Sequence, residues 1–562
     1  MKRYFVSIAL VCLALNAWAQ DTYYAELMSR NNYYGTARSV ALGNAMTALG
    51  GDLGSIGINP AGSAVNSFCQ FTVTPGLLFQ TTGAQWGDDN DPGFGQINNT
   101  TQTKFNLPNM GVTLAFETGR DVGVKTVTIG VVANNSNTFL NYSTARGVSN
   151  YHSFLGNLAA AAAGTSYKNL NTDLYTSYCA NQIGEYGPEG SNIYSGANQM
   201  IDKSGRHHYV PGDLDQTSYY NTYGSKTDLV FNLGYNVSDK FYFGFNLGTP
   251  FGQYRRKDIF VEAAQSPVSF PVNFVDDDGN HLGKEGEPTT YYKSSGNGYY
   301  LNTEIGGIYG KAGFIWLPFA GLRIGAAIQT PTLLNLKEVW WYSAETYYED
   351  NKYNGSAESE IGEYEYHLRT PYVVDAGIAY TFGGFGLVSV DYELTDYSIM
   401  KFQPLDGYED REFWNNKNEC NKLFCGVSHS VRAGLEVKPS PAFAIRAGYS
   451  LVTDPEKYAY DTSGNKVTAE TWEGLHQLLS GFEYFKNTTQ AYSLGLGYSS
   501  SGSFFADATV RLTSYPKAYY SPYYYGGYDM YDKDGNHVYM GQPLITLNRR
   551  IVDVLVTFGW RF

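Results

Sequence analysis

Side chains that alternate between apolar and polar at every second residue mark a β-strand with one covered face, and this chain repeats that pattern from near residue 68 to its last residue. In Phe241-Tyr242-Phe243-Gly244-Phe245-Asn246-Leu247 the Phe and Leu side chains share one face, and Tyr, Gly and Asn share the other. Val431, Ala433, Leu435 and Val437 alternate with Arg432, Gly434 and Glu436, and Ala506, Ala508, Val510 and Leu512 with Asp507, Thr509 and Arg511. The chain stops inside such a run, Val552 to Phe562, on an aromatic residue. After the first twenty residues no stretch approaches the roughly 20 apolar residues of a membrane-spanning helix. Two architectures remain open: a sandwich with its apolar faces buried, or a membrane barrel with those faces turned to lipid.

The connections decide between them. Strands are expected near 68 to 81, 103 to 117, 122 to 134, 226 to 237, 239 to 249, 299 to 316, 320 to 336, 367 to 382, 384 to 396, 428 to 438, 441 to 452, 488 to 499, 503 to 514 and 550 to 562. Short links alternate with long ones: Thr118 to Asp121, Ser238, Leu317 to Phe319, Gly383, Pro439-Ser440 and Ser500 to Gly502 are short, and the others run from about 20 to about 90 residues. An even strand number with short turns on one side and long loops on the other is the arrangement of an outer-membrane barrel. The expected fold is therefore all-β: a 14-stranded antiparallel transmembrane barrel over residues 68–562, multi-pass, with both termini in the periplasm.

The start of the chain fits that compartment. Lys2 and Arg3, an apolar run from Tyr4 to Leu15 and the small-residue site Ala17-Trp18-Ala19 make residues 1–19 a secretory signal peptide, with the mature chain beginning at Gln20. Cys12 follows Ala9-Leu10-Val11, without the small residue expected beside a lipidated cysteine. The full chain has 39 Lys and Arg against 53 Asp and Glu, a formal charge of -14, and loss of Lys2 and Arg3 makes it more acidic still. A nucleic-acid partner is excluded on that balance.

Residues 20–67 do not alternate. They are rich in Gly, Ala and Asn, with a weak helical pattern around Val40 to Leu49, and read as an irregular segment before the first strand. Gly35-Thr36-Ala37-Arg38, Leu42-Gly43-Asn44-Ala45, Ala48, Asp52 and Ile58-Asn59-Pro60-Ala61-Gly62 resemble the N-terminal hatch of the FadL/TodX outer-membrane hydrocarbon transporters, with Asn59, Pro60 and Ala61 standing as its Asn-Pro-Ala motif. Gly325-Ala326-Ala327-Ile328-Gln329-Thr330-Pro331 continues the resemblance, although the family usually has Tyr-Arg where Ile328-Gln329 stand. So does Val431 to Pro441, followed by Ile445-Arg446-Ala447-Gly448-Tyr449, and the terminal Phe562 resembles the C-terminal signal of bacterial outer-membrane barrels.

The resemblance implies a monomeric Gram-negative outer-membrane transporter, without a cofactor, for passive uptake of small hydrophobic molecules such as long-chain fatty acids or similar lipids. Ligand would be captured among the extracellular loops, and a hatch movement with a kink in the third strand would release it sideways into the membrane. Partners would be the hydrophobic ligand and the lipid and lipopolysaccharide of the membrane. Two further readings stand beside it. The Tyr-rich loops suit a surface attachment or shuttle protein for secreted proteins, and His207-His208 suits a haem receptor.

Candidate site residues follow from the same reading. The third strand passes through Gly130 and breaks into Ala133-Asn134-Asn135-Ser136-Asn137, residues disposed to turn or bulge, so a lateral opening is expected beside Gly130, Asn134 and Asn135. Lumen-facing charges of both signs, Asp228, Asp391, Glu393, Arg432, Glu436, Arg446, Asp507, Arg511, Asp553 and Arg561, are expected to pair across strands. Arg432 and Arg446 are the candidates to hold a ligand carboxylate, and Phe154 and Leu155, in a helical stretch of the longest loop, either capture ligand or pack over the barrel mouth. Asp276 to Asn280, Asp461 to Asn465 and Asp532 to Asn536 start like calcium loops but lack the closing Glu, so they read as turn tips rather than metal sites. Cys420 and Cys425 are spaced for a small disulfide. Neither a nucleophile elbow, a zinc-protease helix nor a phosphate loop is present, so no enzyme is expected.

Overall fold

The computed structural model describes residues 22–87, 96–149, 153–186, 190–201, 208–275, 282–284, 286–405, 411–455, 488–523, 525, 528–531, 537–540, 543 and 545–562. The signal peptide and the three acidic loop tips lie outside them, and so does His207. The barrel closes on itself through fourteen antiparallel strands, each hydrogen-bonded to the next and the last to the first. They are β1 (Gln70–Trp86), β2 (Asn98–Glu117), β3 (Val124–Asn137, continued by Asn141–Ser149), β4 (Leu214–Val237), β5 (Phe241–Ala264), β6 (Thr290–Trp316) and β7 (Leu322–Gln329, continued by Leu333–Tyr348). The second half is β8 (Gly362–Arg369, continued by Val373–Thr381), β9 (Gly386–Asp396, continued by Lys401–Pro404), β10 (Val427–Ser440), β11 (Phe443–Thr453), β12 (Thr488–Ser499), β13 (Phe504–Ser514, continued by Ala518–Tyr520) and β14 (Ile545–Arg561).

Several strands run far beyond the spans expected from alternation, up to 27 residues in β6. Their lower parts carry the lipid-facing surface: Phe243, Phe245 and Leu247 on β5, Leu494 and Leu496 on β12 and Val510 and Leu512 on β13 point outward and are exposed. Apolar side chains turned out and polar ones turned in are the reverse of a water-soluble β-protein, and they make this a membrane-spanning barrel of the outer-membrane kind. Aromatic pairs mark its lower rim, Phe241 stacked on Trp316 at 6.1 Å and Phe504 edge-on to Trp560 at 5.5 Å. Phe562 closes the ring by exchanging backbone hydrogen bonds of 3.0 Å with Cys69.

Thr22 to Val65 lies inside the barrel and is more ordered than its composition suggests. It opens with a helix, α1 (Thr22–Ser29), which sequence alternation did not reveal, and continues through a short helix, α2 (Ala37–Ala41), and two 3-10 turns, Leu53–Gly57 and Pro60–Val65. Side-chain caps start each of the last three: Thr36 accepts from the Ser39 amide, Asp52 from Gly54 and Asn59 from Ala61. In Asn-Pro-Ala, Asn59 is the cap, Pro60 takes the first helical position where its missing N–H is harmless, and Ala61 is small enough to pack beside Tyr242 and Ile315.

A belt of glycines on the lumen face seats this segment. Gly234, Gly244 and Gly313 stand in register on β4, β5 and β6, as do Gly325 with Gly377 on β7 and β8 and Gly434 with Gly448 on β10 and β11. A Cβ at Gly244 would overlap the Pro60 carbonyl, one at Gly313 the Asn59 side chain, and one at Gly448 the Gly43 amide. The close approach lets the wall satisfy the hatch backbone: Asn232 donates to Pro60 O (3.0 Å), Asn246 to Ile56 O (2.8 Å) and Arg323 to Leu49 O (2.7 Å), while the Ala37 and Thr47 amides donate to Thr557 and Asp391 (both 2.7 Å). Losing such bonds inside the barrel leaves buried polar groups unpaired, at about 1–3 kcal/mol each.

Gly244→Val should therefore leave the barrel closed but expel the 3-10 turn at Pro60. The check is limited proteolysis of the detergent-purified protein, expected to cut within residues 22–67 at least about tenfold faster than wild type while heat-modifiable gel migration of the barrel is unchanged.

Candidate functional site

Above the hatch the lumen holds a cavity of about 200 Å³. Its floor is Asn31 to Tyr34 with Gly43 and Asn44, and one side is α1, through Tyr23, Glu26, Leu27 and Arg30. Apolar wall comes from Phe139, Leu140, Val452, Leu547 and Ile551, and a polar rim from Arg432, Arg511 and Arg549. The mouth above is covered by the loop between β3 and β4, whose helix α3 (Phe154–Ala162) packs on Trp86, Phe260, Tyr292 and Tyr523. Glu262, fully buried at the top of β5, accepts from the Phe154 amide at 3.0 Å and holds the start of that helix in place.

The candidate residues scatter against this geometry. Phe154 and Leu155 are completely buried in the core under the loop and do not line the cavity. Of the two Arg candidates, Arg446 lies away from the cavity beside the hatch, bound to Glu436 at 2.6 Å and Asp507 at 2.5 Å, with Arg38 of the hatch on Glu436 at 3.1 Å. Arg432 does line it, but two carboxylates hold its guanidinium, Glu393 and Asp375, each at 2.8 Å, and Lys311 sits 3.1 Å from Asp375. Arg511 is paired with Asp553 at 2.8 Å. Arg549 differs: it donates to the Leu140 carbonyl at 3.2 Å, lies 3.7 Å over the Tyr515 ring, and forms no ion pair among the described residues. Its place was readable in the sequence, because it shares parity with the lumen-facing Asp553, Ile551 and Leu547 on β14.

Gly130, expected at the side opening, stands inside an unbroken ladder, opposite Thr113 on β2 and Asn232 on β4. The break begins above it. Asn109 and Asn134 form the last β2–β3 rung, with Asn109 Nδ2 donating to Asn134 Oδ1 at 2.6 Å. Beyond them the upper piece of β3, Asn141–Ser149, pairs only with β4, so β2 from Asn98 to Pro108 has no hydrogen-bonded neighbour on that side among the described residues. Two irregularities at one height cause it: a bulge at Asn135–Asn137 in β3, and a register shift opposite Pro108 in β2, a residue with no N–H to offer. Phe139 then turns the chain in a left-handed conformation, φ 49°, fixed by Asn137 Oδ1 accepting from its amide at 3.1 Å. Hatch residues hold the bulge from inside, Asn32 donating to Ser136 O at 2.7 Å and Tyr34 to Asn135 O at 3.3 Å. Both side-chain atoms of Asn106, Asn134 Nδ2 and Asn135 Oδ1 are buried without a partner at this seam. Lys104 reaches across it to the carbonyls of Gly224 and Thr138. Residues 137–141, the turn itself, form the adjoining wall of the cavity.

Cys425 is buried and keeps its thiol, so the expected Cys420–Cys425 bridge is not formed; the two stand inside α4 (Arg411–Phe424) and one residue beyond it, and Cys425 packs in the cluster that faces α1. Cys69 and Cys179 also carry thiols. Among the described residues no group of three His, Cys, Asp or Glu side chains is placed to hold a metal ion.

No family model matches the sequence, and no curated protein matches it significantly. Among solved structures the chain is similar to a FadL homologue of Pseudomonas aeruginosa, at 11% identity over 94% of this chain and 98% of that one, with a TM-score of 0.45. It is similar also to the toluene transporter TbuX of Ralstonia pickettii (13% identity, 94% and 99% covered, TM-score 0.44) and to the toluene transporter TodX of Pseudomonas putida (10%, 95% and 99%, TM-score 0.45).

Glu26 ties the hatch to pH. Burial pushes its carboxyl up to about 7, Arg30 pulls it down, and Asp454 pushes it up. A folded-state value above the unfolded one contributes stability that is complete below about 4.5 and is lost as pH rises through about 7. Hydrogen exchange at α1, corrected for intrinsic rates, should quicken about tenfold or more between pH 5 and pH 8, and Glu26→Gln should flatten that dependence; an unchanged slope in the variant would place the titration elsewhere.

Proposed function

We propose that this protein is a passive outer-membrane channel for compact hydrophobic molecules, which occupy the cavity above the hatch and leave sideways through the β2–β3 seam. The observation that carries the reading is the coincidence of the broken ladder with the cavity wall at residues 137–141. An apolar molecule gains little from a water-filled axial pore, whereas a side exit leads it from an apolar wall directly into lipid. A seam held by side-chain packing and Lys104, with no backbone hydrogen bonds between β2 and β3 above Asn109 and Asn134 among the described residues, has few bonds to break as it parts.

The size of the cavity supports a small ligand. A dry cavity of about 150 Å³ accepts benzene, so 200 Å³ suits a single-ring or similarly compact molecule. Arg549 favours a second reading, in which the ligand carries a carboxylate: it is a cavity cation over an aromatic ring with no acidic partner among the described residues.

Leu107 is exposed on the lipid side of the seam, and Leu496 is exposed on the far side of the barrel. In a Cys179→Ser background, attaching a bulky thiol reagent at Leu107→Cys should reduce uptake of a radiolabelled monoaromatic hydrocarbon at least about fivefold, and the same label at Leu496→Cys should leave uptake unchanged. Equal uptake after both labellings would remove the side exit.

A further inference from the structure

The outer face of β4 to β7 carries a feature that transport does not use. On β5 the outward positions change abruptly from apolar to basic: Phe243, Phe245, Leu247 and Phe251 are followed by Gln253, Arg255 and Lys257, all exposed. Aromatic rings from neighbouring strands frame the two cations. Arg255 lies 5.8 Å over the ring of Tyr223 on β4 and Lys257 lies 5.6 Å over Tyr300 on β6, which itself stacks on Trp341 of β7 at 4.8 Å and 4°. Arg256 between them points inward and pairs with Asp258, whereas neither Arg255 nor Lys257 forms an ion pair among the described residues. The nearest acid on the same face, Glu304, stands opposite Gln253 and is matched by Lys337 across β7. In a chain of net charge -14, a pair of unneutralised cations with three aromatic neighbours on one exterior patch is a local reversal of sign.

Height assigns its setting. Ten residues separate Phe241, on the lower aromatic rim, from Phe251, and at about 3.4 Å per residue on a strand tilted about 40° they climb roughly 25 Å, the full height of the apolar band of such a barrel. Arg255 and Lys257 then stand roughly 10–15 Å above the band, at the level of lipid headgroups. Their Cα atoms are about 7 Å apart, both on the same face, a spacing that lets both cations reach one dianionic group. Tyr and Trp at this depth bury their rings at the interface and keep their polar ends in water.

We propose that Arg255 and Lys257, framed by Tyr223, Tyr300 and Trp341, form an exterior binding site for the phosphate headgroup of an outer-leaflet lipid. The site is independent of the cavity and of the transported ligand. Its role is to fix a phosphorylated lipid against β4 to β7, the wall that adjoins the upper piece of β3.

Native mass spectrometry of the full-length barrel in mild detergent tests it, with a bis-phosphorylated glycolipid as the probe and its dephosphorylated counterpart and inorganic phosphate as comparisons. Wild type should bind the phosphorylated lipid about ten- to thirtyfold more tightly than Arg255→Gln/Lys257→Gln, at about 1 kcal/mol per basic residue near a membrane surface. Each single variant should lose part of that difference, and Lys337→Gln, which stands in register between Glu304 and Glu365, should lose none. Heat-modifiable migration reports that each barrel is closed. Equal affinity in wild type and the single variants, equal affinity for the dephosphorylated lipid, or displacement of the lipid by millimolar inorganic phosphate would each overturn the site as a lipid-phosphate site.

Discussion

Everything inside this barrel depends on how closely the backbone of residues 22–65 approaches the wall. A helix-poor plug has many amide and carbonyl groups, and each must find a partner once water is excluded. The wall meets that demand by presenting glycines where the plug touches and Asn, Thr, Asp, Lys or Arg side chains beside them. Gly244 and Gly313 give room to Asn59-Pro60, and Asn232 and Asn246, on neighbouring strands, take the carbonyls of Pro60 and Ile56. Side chains at the glycine positions would push the plug away and leave those groups unpaired together, so the contact is cooperative.

That docking also builds the site above it. The plug holds the β3 bulge from inside through Asn32 and Tyr34, which keeps β3 out of register with β2 and turns Phe139 and Leu140 into the cavity wall. The same plug lays Tyr33 and Tyr34 of the floor against Arg432 and Arg511, at 5.0 and 4.5 Å from their rings, so these paired cations brace the floor. Arg549, above the floor, is left with an aromatic ring and a carbonyl for company. Floor, wall and seam are therefore consequences of one contact surface.

The membrane-spanning part of the fold was legible because lipid imposes a strict two-residue period. Above the band that pressure ends: Gln253, Arg255 and Lys257 face outward while Tyr254 faces in, so polarity no longer reports direction and residues 250–264, more than half of β5, were lost to a supposed loop. Helix α1 escaped notice because only Tyr24, Ala25 and Met28 cover its buried face, too few to stand out in eight residues. The Asn cluster of β3 did signal irregularity, but Gly130 was a poor guide, since a lumen-facing glycine fits an intact ladder as well as a broken one. Arg432 and Arg446 drew attention through charge alone, and only the register of Asp375, Glu393, Glu436 and Asp507 shows that both are already occupied. Glycine recurring at the inward positions of successive strands was the overlooked clue, because it marks where something inside the barrel comes close.

The central claim is that one compact apolar molecule sits between the plug and the cap. Equilibrium binding of radiolabelled toluene to the detergent-purified barrel tests it most directly when wild type is compared with Leu140→Trp, which fills the cavity beside Leu78 and Ile551. Wild type should show saturable binding near one molecule per barrel, and the variant should lose it with the barrel still closed. Binding that does not saturate, or that is the same in both proteins, would contradict it.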